Sequence, residues 1–368
     1  MSLKERVFAQ IKENKENIEN GKVNCIPWPI EEMRRTIPGI RQGKYYLMTA
    51  QTKVGKTQFS CFVLFEALLY VFDHQDQMDI KILCFPLEET PELIMERWIS
   101  YILARYSNRA IRLTATDMES INTKIDDNYY KLITEDPNLG KLIDFFEEKV
   151  NFYEDNNPTG IYNSCRAWAM DHGSVINDGV KYYDKVTGEP HYNKKYIPDN
   201  PNLYKIIWVD HLGLLSPDKT APDLRNAIQM LSATHFVKLR NHLGFTIWAV
   251  QQQMAFDTVD AFKIDKIEPS VTNLSDNKAT AKDANAVIAL WSPVFMGKDV
   301  MGFDSNLNIS FRKLGIYGRI AKVLANRDGM CGESFPLFMD GAISWYSGIN
   351  ENTLEPAYQE AQRLTVNK

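Results

Sequence analysis

The feature that most constrains the fold of this chain is a short loop, residues 50–57, that lies between two apolar segments. It reads Ala50, Gln51, Thr52, Lys53, Val54, Gly55, Lys56 and Thr57. This order matches the pattern G-x-x-x-x-G-K-[ST] at every fixed position except the first, where alanine replaces glycine. Residues 44–49 predict a strand before the loop, and residues 57–72 predict a helix after it. This arrangement is typical of α/β domains that bind phosphate groups.

The residue types in this loop explain how it would bind a nucleotide. Gly55 lets the backbone pass close to the phosphates, so that successive N–H groups point inward and surround an anion. Lys56 can place its ammonium beside the β- and γ-phosphates, and the hydroxyl of Thr57 can bind Mg²⁺. A chance Gly-Lys-Thr tripeptide is the alternative, but the flanking strand and helix argue against it. We therefore assign all eight residues to nucleotide binding and expect ATP and Mg²⁺ as ligands.

Two further apolar segments lead to carboxylates that suit the same chemistry. Residues 206–209 predict a buried strand that ends at Asp210, whose side chain would bind Mg²⁺ together with Thr57. Residues 80–85 predict another strand, and Glu88 shortly after it would activate the attacking water. The alternatives are that Asp210 is a turn residue and that Glu88 only favours a helix N-terminus.

Predicted strands and helices alternate along most of the chain, which predicts an α/β fold with a mainly parallel central sheet flanked by helices. Residues 1–24 predict a polar helical arm with a narrow apolar stripe. Residues 25–348 predict the globular domain, and an insertion at about 174–204 predicts a β-hairpin around a Thr-Gly turn. Residues 349–368 remain as a carboxy-terminal tail.

Composition excludes several classes of protein. The chain has 368 residues and a formal charge of −5, so nucleic acid would have to bind through a local surface. The longest nearly apolar run, residues 61–72, is too short for a bilayer, which needs about 20 residues. Five widely spaced cysteines without Cys-x-x-Cys predict neither a disulfide framework nor a zinc site. We expect a cytoplasmic protein with no membrane partner.

The order of these elements resembles that of a known family, the RecA-type ATPase domain of DnaB-family replicative DNA helicases. The similarity runs from about residue 26 to residue 346. Ala50 at the head of the phosphate loop is typical of the family, and Leu87-Glu88 is similar to its Leu-Glu pair. Residues 210–214 resemble its Asp-Tyr-Leu-Gln-Leu. The resemblance implies a RecA-like P-loop NTPase in which Glu88 is the water-activating carboxylate.

The resemblance also implies roles that the residues alone do not assign. The catalytic set would be Lys56, Glu88, Gln251 as the γ-phosphate sensor, and Arg327, which would reach the nucleotide of the neighbouring subunit. Ser275, Asp276 and Lys278 would contact single-stranded DNA in the channel of a homo-oligomeric ring, expected to be a hexamer. Hydrolysis would drive 5′→3′ movement along that strand, and a primase or a loader protein is a further implied partner.

The chain departs from the family pattern mainly at positions that would contact DNA or the neighbouring subunit. Ala325 stands where the family has lysine, Met254 stands where it usually has arginine, and the loop 275–278 replaces Arg-Glu-Ser-Gly. No counterpart of the amino-terminal scaffold domain is expected. Two other functions therefore stay open, a RecA-like recombination or repair ATPase without unwinding and a nucleotide-bound scaffold or loader. Strand displacement would exclude the first, and DNA-stimulated ATPase activity would exclude the second.

Overall fold

A computed structural model describes residues 3–121, 124–183, 187–254, 268–303 and 307–366 of the chain. Residues 1, 2, 367 and 368 of the predicted arm and tail, and residues 184–186 of the predicted insertion, lie outside the described residues. The strands are β1 (Ile26–Pro27), β2 (Gly39–Ile40), β3 (Tyr45–Ala50), β4 (Asp79–Pro86), β5 (Val150–Phe152), β6 (Gly173–Tyr183), β7 (Pro190–Pro198), β8 (Leu203–Asp210), β9 (Thr246–Gln252), β10 (Ala286–Trp291), β11 (Val300–Phe303), β12 (Leu307–Ser310), β13 (Gly318–Asn326), β14 (Ser334–Asp340) and β15 (Trp345–Gly348).

The helices are longest at the positions where the sequence predicts them. They are α1 (Leu3–Glu19), α2 (Lys56–Asp73), α3 (Pro91–Tyr106), α4 (Ala115–Met118), α5 (Asp127–Glu135), α6 (Pro137–Lys149), α7 (Pro158–Asp171), α8 (Leu224–Gln229), α9 (Val237–Leu243), α10 (Thr280–Asp283), α11 (Phe311–Leu314) and α12 (Leu354–Val366). A π-helical segment, Met230–Phe236, joins α8 to α9. Within the described residues, no helix is both long and apolar enough to cross a membrane.

Nine strands form the central sheet, in the order β15-β14-β13-β10-β3-β9-β8-β4-β5. The six strands from β10 to β5 run parallel, as the alternation of strands and helices predicts. The last three strands, β13, β14 and β15, pair antiparallel instead. Short connections join these three strands, and a short connection can link only antiparallel neighbours. The predicted α/β fold class, a mainly parallel sheet flanked by helices, is thus confirmed.

Helices cover the two faces of the sheet because the central strands are apolar on both. In β3, Tyr46 and Met48 lie in a core with α2, α3 and α6, and Tyr45 and Leu47 lie in a second core with α7, α8 and α9. A strand buried on both faces must be apolar at successive positions, which is the pattern read in the sequence. The helices packed on both faces therefore hold β3 in place and fix the position of the loop that follows it.

The additions predicted around the central domain are present as local structure. Strands β6 and β7 pair antiparallel as the predicted hairpin, and Gly188 near its tip has a φ of +72°. Helix α1 forms the predicted arm, and its apolar residues Val7, Ile11 and Ile18 are exposed. Helix α12 occupies most of the predicted tail and packs on the antiparallel end of the sheet through Leu364 and its neighbours.

Candidate nucleotide-binding site

The ends of four parallel strands bring most of the predicted site residues to one edge of the sheet. Strand β3 ends at Ala50, β4 at Pro86, β8 at Asp210 and β9 at Gln252. Register pairs Pro86 with Asp210 and Ala50 with Gln252. In open α/β sheets, ligands bind outside the carboxyl ends of the strands. This edge is therefore the candidate site.

The phosphate loop connects β3 to α2 and is held from the antiparallel side of the sheet. Gly55 has a φ of +108°, and a Cβ there would lie 2.6 Å from the hydroxyl oxygen of Tyr346. That hydroxyl donates a hydrogen bond to the carbonyl of Gly55 at 3.0 Å. The buried guanidinium of Arg319 donates to the carbonyl of Val54 at 2.7 Å. Glycine suits position 55 because other residues rarely adopt this φ, and because a Cβ would displace the Tyr346 hydroxyl that holds the loop.

Lys56 and Glu88 meet at this edge, as the sequence predicts. The ammonium of Lys56 donates a hydrogen bond to Oε2 of Glu88 at 2.8 Å. Burial acts to raise the pKa of Glu88, but the hydrogen bond and the charge of Lys56 outweigh it, so the pKa lies below its usual range. Glu88 is therefore ionised at neutral pH, which is the form that can accept a proton.

Asp210 is the buried carboxylate of the site. It is 5% exposed, and neither of its carboxylate oxygens has a hydrogen-bond partner among the described residues. Burial raises its pKa to about 7, although the charge of Lys56 and the nearby Thr57 hydroxyl act in the opposite direction. Asp210, Thr57 and Glu88 line one small cavity. An unpaired buried carboxylate beside a threonine hydroxyl suits a cation. Mg²⁺ prefers oxygen ligands, and at phosphate sites it usually needs only one or two from the protein.

A second charged pair, which sequence reasoning missed, holds the loop that carries Glu88. Glu89 accepts two hydrogen bonds from the guanidinium of Arg97 in α3, at 2.9 and 2.6 Å. Both side chains are mostly buried, at 15% and 16% exposure. Paired Arg–carboxylate bonds of this kind fix geometry as well as charge. The only sequence signal was a second glutamate beside Glu88, and nothing in it pointed to Arg97.

Two of the three consecutive glutamines at the end of β9 make contacts in different directions. Gln252 donates a hydrogen bond to the hydroxyl of Thr52 in the phosphate loop at 2.7 Å. Gln251, the predicted γ-phosphate sensor, is fully buried and donates instead to the carbonyls of Ser275 and Asn277, at 2.7 and 2.8 Å. Successive side chains of a strand point to opposite faces, so the neighbouring residues Gln251 and Gln252 make different contacts. Gln252, not Gln251, reaches the phosphate loop.

The predicted DNA-contacting residues lie in a loop attached to the end of β9. The backbone N–H and the hydroxyl of Ser275 both donate to the carbonyl of Gln252, at 3.0 and 2.7 Å. Asp276 and Lys278 are exposed, and Asp276 has a φ of +60°. Gln252 therefore contacts both this loop and the phosphate loop.

Arg327 lies at the opposite edge of the sheet from the other predicted catalytic residues. It follows Asn326, which pairs with Ala286, and Ala286 pairs with Tyr46 near the start of β3. The phosphate loop follows the other end of β3. The exposed Arg327 guanidinium donates to the carbonyl of Lys282. Within one chain Arg327 is thus separated from Lys56 and Asp210 by the length of the sheet.

Comparisons with known proteins place the fold. No protein-family model and no curated protein matches this sequence. A solved ATPase domain is similar in structure, with a TM-score of 0.64 and 16% sequence identity over 95% of this chain and 99% of that chain. A DnaB-like replicative helicase, solved with regard to its interactions with primase, has a TM-score of 0.61 and 16% identity over 95% of this chain and 67% of that chain. The chain therefore has the fold of a DnaB-type helicase ATPase domain, in agreement with the resemblance in its sequence.

Proposed function

We propose that this protein is an ATP-dependent DNA helicase of the DnaB replicative type. It hydrolyses ATP at the subunit interfaces of a homo-oligomeric ring, expected to be a hexamer, and moves along single-stranded DNA. The observation that carries the proposal is the convergence of Thr57, Glu88 and Asp210 around one small cavity at the carboxyl edge of the sheet, with Lys56 hydrogen-bonded to Glu88. These residue types are the ones that phosphoryl transfer requires.

Lys56 would bind the phosphates and Glu88 would accept a proton. ATP bound in the phosphate loop would compete with Glu88 for the Lys56 ammonium, which lies 2.8 Å from the carboxylate. Glu88, released from Lys56, would then accept the proton of the attacking water as the general base. The backbone of the loop, held by Tyr346 and Arg319, would bind the phosphates without having to reorganise.

Asp210 and Thr57 would hold Mg²⁺. The unpaired, buried oxygens of Asp210 support this assignment, because a buried carboxylate without a partner is costly. When bound, Mg²⁺ would neutralise charge on the phosphates. Asp210 would keep a fixed position because β8 pairs with β4 on one side and with β9 on the other.

The position of Arg327 supports hydrolysis between subunits. A guanidinium at the opposite edge of the sheet cannot act on the nucleotide of its own chain, but it can face the site of a neighbour in a ring. Such an arginine stabilises charge on the transferring phosphoryl group. The exposed apolar stripe of α1 offers a further surface for a neighbouring subunit.

The loop at residues 275–278 would bind DNA and respond to the nucleotide. Gln252 contacts Thr52 with its side chain and Ser275 with its carbonyl, so movement of the phosphate loop would be transmitted by Gln252 to the loop at residues 275–278. Lys278 would contact the phosphate backbone of a single strand. A primase is the partner we propose by analogy with the DnaB-like helicase of similar fold, which interacts with primase.

The decisive experiment measures three properties of one preparation. These are ATP hydrolysis with and without single-stranded DNA, strand displacement from a forked duplex, and mass in solution with ATP. We expect DNA-stimulated hydrolysis, displacement and a ring-sized mass. Lys56→Ala should abolish all turnover, and Lys131→Ala, which changes an exposed lysine of α5, should not. ATPase activity without displacement would favour the recombination ATPase, and ATPase activity that ignores DNA would favour a scaffold or loader.

A further inference from the structure

His211 is a buried side chain that the proposed chemistry does not yet use. It follows Asp210 directly and is 8% exposed. The backbone N–H of Gly213 donates a hydrogen bond to its Nδ1 at 3.1 Å. A Cβ at Gly213 would lie 3.0 Å from two atoms of the ring, so the absence of a side chain there permits this close contact. The ring is therefore held in one orientation by the chain that carries it.

This hydrogen bond determines where the ring carries its proton. Because Nδ1 accepts, the neutral imidazole carries its hydrogen on Nε2. Nε2–H is thus a donor, and the carboxylate oxygen Oε2 of Glu88 lies 3.6 Å away.

The same oxygen of Glu88 is the acceptor for Lys56. At 3.6 Å the histidine contact is longer than a hydrogen bond, whereas the lysine contact at 2.8 Å is a strong one. ATP in the phosphate loop would draw the Lys56 ammonium toward its phosphates. Glu88 would then need another donor to keep one orientation, and the Nε2–H of His211, which directly follows strand β8, lies 3.6 Å from its carboxylate.

We propose that His211 is a positioning residue that takes over Glu88 from Lys56 when ATP binds and holds the carboxylate in place for water activation. This inference rests on the proposed function, because it assigns a part in that reaction. A shift of about 1 Å in a group that acts on the substrate can change a rate by two orders of magnitude. The simpler role is structural, since the ring also caps the short 3₁₀ helix Leu212–Leu214 through its contact with Gly213.

Two substitutions separate these roles. His211→Asn keeps an acceptor near the position of Nδ1, so it can still bind the N–H of Gly213, but it is too short to reach Glu88. His211→Gln places an amide N–H near the position of Nε2 and can reach Glu88. We expect His211→Asn to lower kcat for ATP hydrolysis on the order of 10- to 100-fold, as expected for a lost hydrogen bond to a charged group. The Kd for ATP should stay within about twofold, and His211→Gln should restore most of the turnover.

The controls distinguish failure of this inference from failure of the proposed function. If the wild-type chain does not hydrolyse ATP, or Lys56→Ala does not abolish turnover, the proposed function fails. If the wild-type chain is active and Lys56→Ala is not, three results would overturn the role of His211. These are unchanged kcat in His211→Asn, equal losses of kcat in His211→Asn and His211→Gln, and a loss confined to ATP affinity. The unfolding midpoint of each variant shows that the fold is intact.

Discussion

The ammonium of Lys56 lies 2.8 Å from Oε2 of Glu88, which joins the cation of the phosphate loop to the carboxylate of the neighbouring strand. In the proposed reaction, these two groups act on different partners, Lys56 on phosphate and Glu88 on water. The contact between them is therefore one that ATP must replace. This relationship makes binding and hydrolysis separable by mutation.

Glu88→Gln should separate them. The substitution removes the base and releases Lys56, so we expect ATP turnover to fall by at least about 100-fold while ATP affinity is kept or increased. Turnover and equilibrium binding of a fluorescent ATP analogue would be measured on the same preparation. Glu92→Gln is the matched control, because Glu92 lies in the same segment in the first turn of α3 and is exposed. A Glu88→Gln protein that hydrolyses ATP at the wild-type rate would exclude Glu88 as the base.

Asp210→Asn should remove activity without loss of stability. The ionised Asp210 carboxylate is buried and unpaired, and its pKa is raised to about 7, so the charged form opposes folding at pH values of about 8. A neutral amide of the same shape avoids that cost. We expect turnover to be lost and the free energy of unfolding, measured by urea in buffer without divalent ions, to be equal to or above that of the wild-type chain. A clear decrease would show that Asp210 has a stabilising partner.

The pair Glu89–Arg97 should be energetically coupled. Glu89→Gln or Arg97→Gln alone leaves one mostly buried charge without its partner, and each should cost about 3 kcal/mol of stability. The double variant should cost less than the sum of the two, because it leaves no unpaired charge. Urea denaturation of the four proteins completes the cycle. Additive losses would mean that the two bonds contribute nothing beyond the separate side chains.

Arg327 should act on the site of a neighbour. We expect Arg327→Ala to bind ATP normally but to lose at least about 100-fold in turnover. A mixture of the inactive Arg327→Ala and Lys56→Ala chains should regain activity. At some interfaces an intact Lys56 site then faces an intact Arg327. Mixtures that stay inactive, although native mass spectrometry finds mixed oligomers, would contradict action between subunits.

Lys205 should make stability depend on pH. Its ammonium is buried against the ring of Tyr196 at 4.3 Å and donates to the carbonyl of Leu243 at 2.6 Å. Burial lowers its pKa to about 8, so the unfolded chain binds this proton more tightly than the folded one. Wild-type stability should therefore rise by about 2 kcal/mol between about pH 7.5 and about pH 9.5, relative to Lys205→Met.

The control for this prediction is Lys194→Met, which removes an exposed lysine from β7 on the same side of the domain. Its stability should follow the wild-type curve across the same pH range. If Lys205→Met and Lys194→Met give identical curves, the Lys205 ammonium keeps its ordinary pKa in the folded chain.

Residues that lie close in sequence were the ones that could be assigned before the structure was known. The loop 50–57 carries its backbone freedom, its cation and its hydroxyl within a single short segment. Asp210 and Glu88 follow apolar strands, and parallel strands end at a common edge, so their meeting was predictable from strand order. The structure brings both to the cavity beside Thr57.

The roles of the glutamines of β9 could not be predicted in this way. Three identical side chains stand in a row, and the sequence has no feature that tells which one faces the phosphate loop. The register of β9 against β3, in which Gln252 pairs with Ala50, decides it. A displacement by one residue would exchange the two faces.

The amino-acid sequence alone determined the phosphate loop, the two carboxylates at strand ends and the alternation of strands and helices. Each of these depends on local spacing or on the order of the strands. Only the tertiary structure decided that Glu89 binds Arg97, that His211 faces Glu88 and that Arg327 lies at the far edge of the sheet. Those relationships join side chains from different elements. Their distances depend on how the helices and strands pack, which no short stretch of sequence encodes.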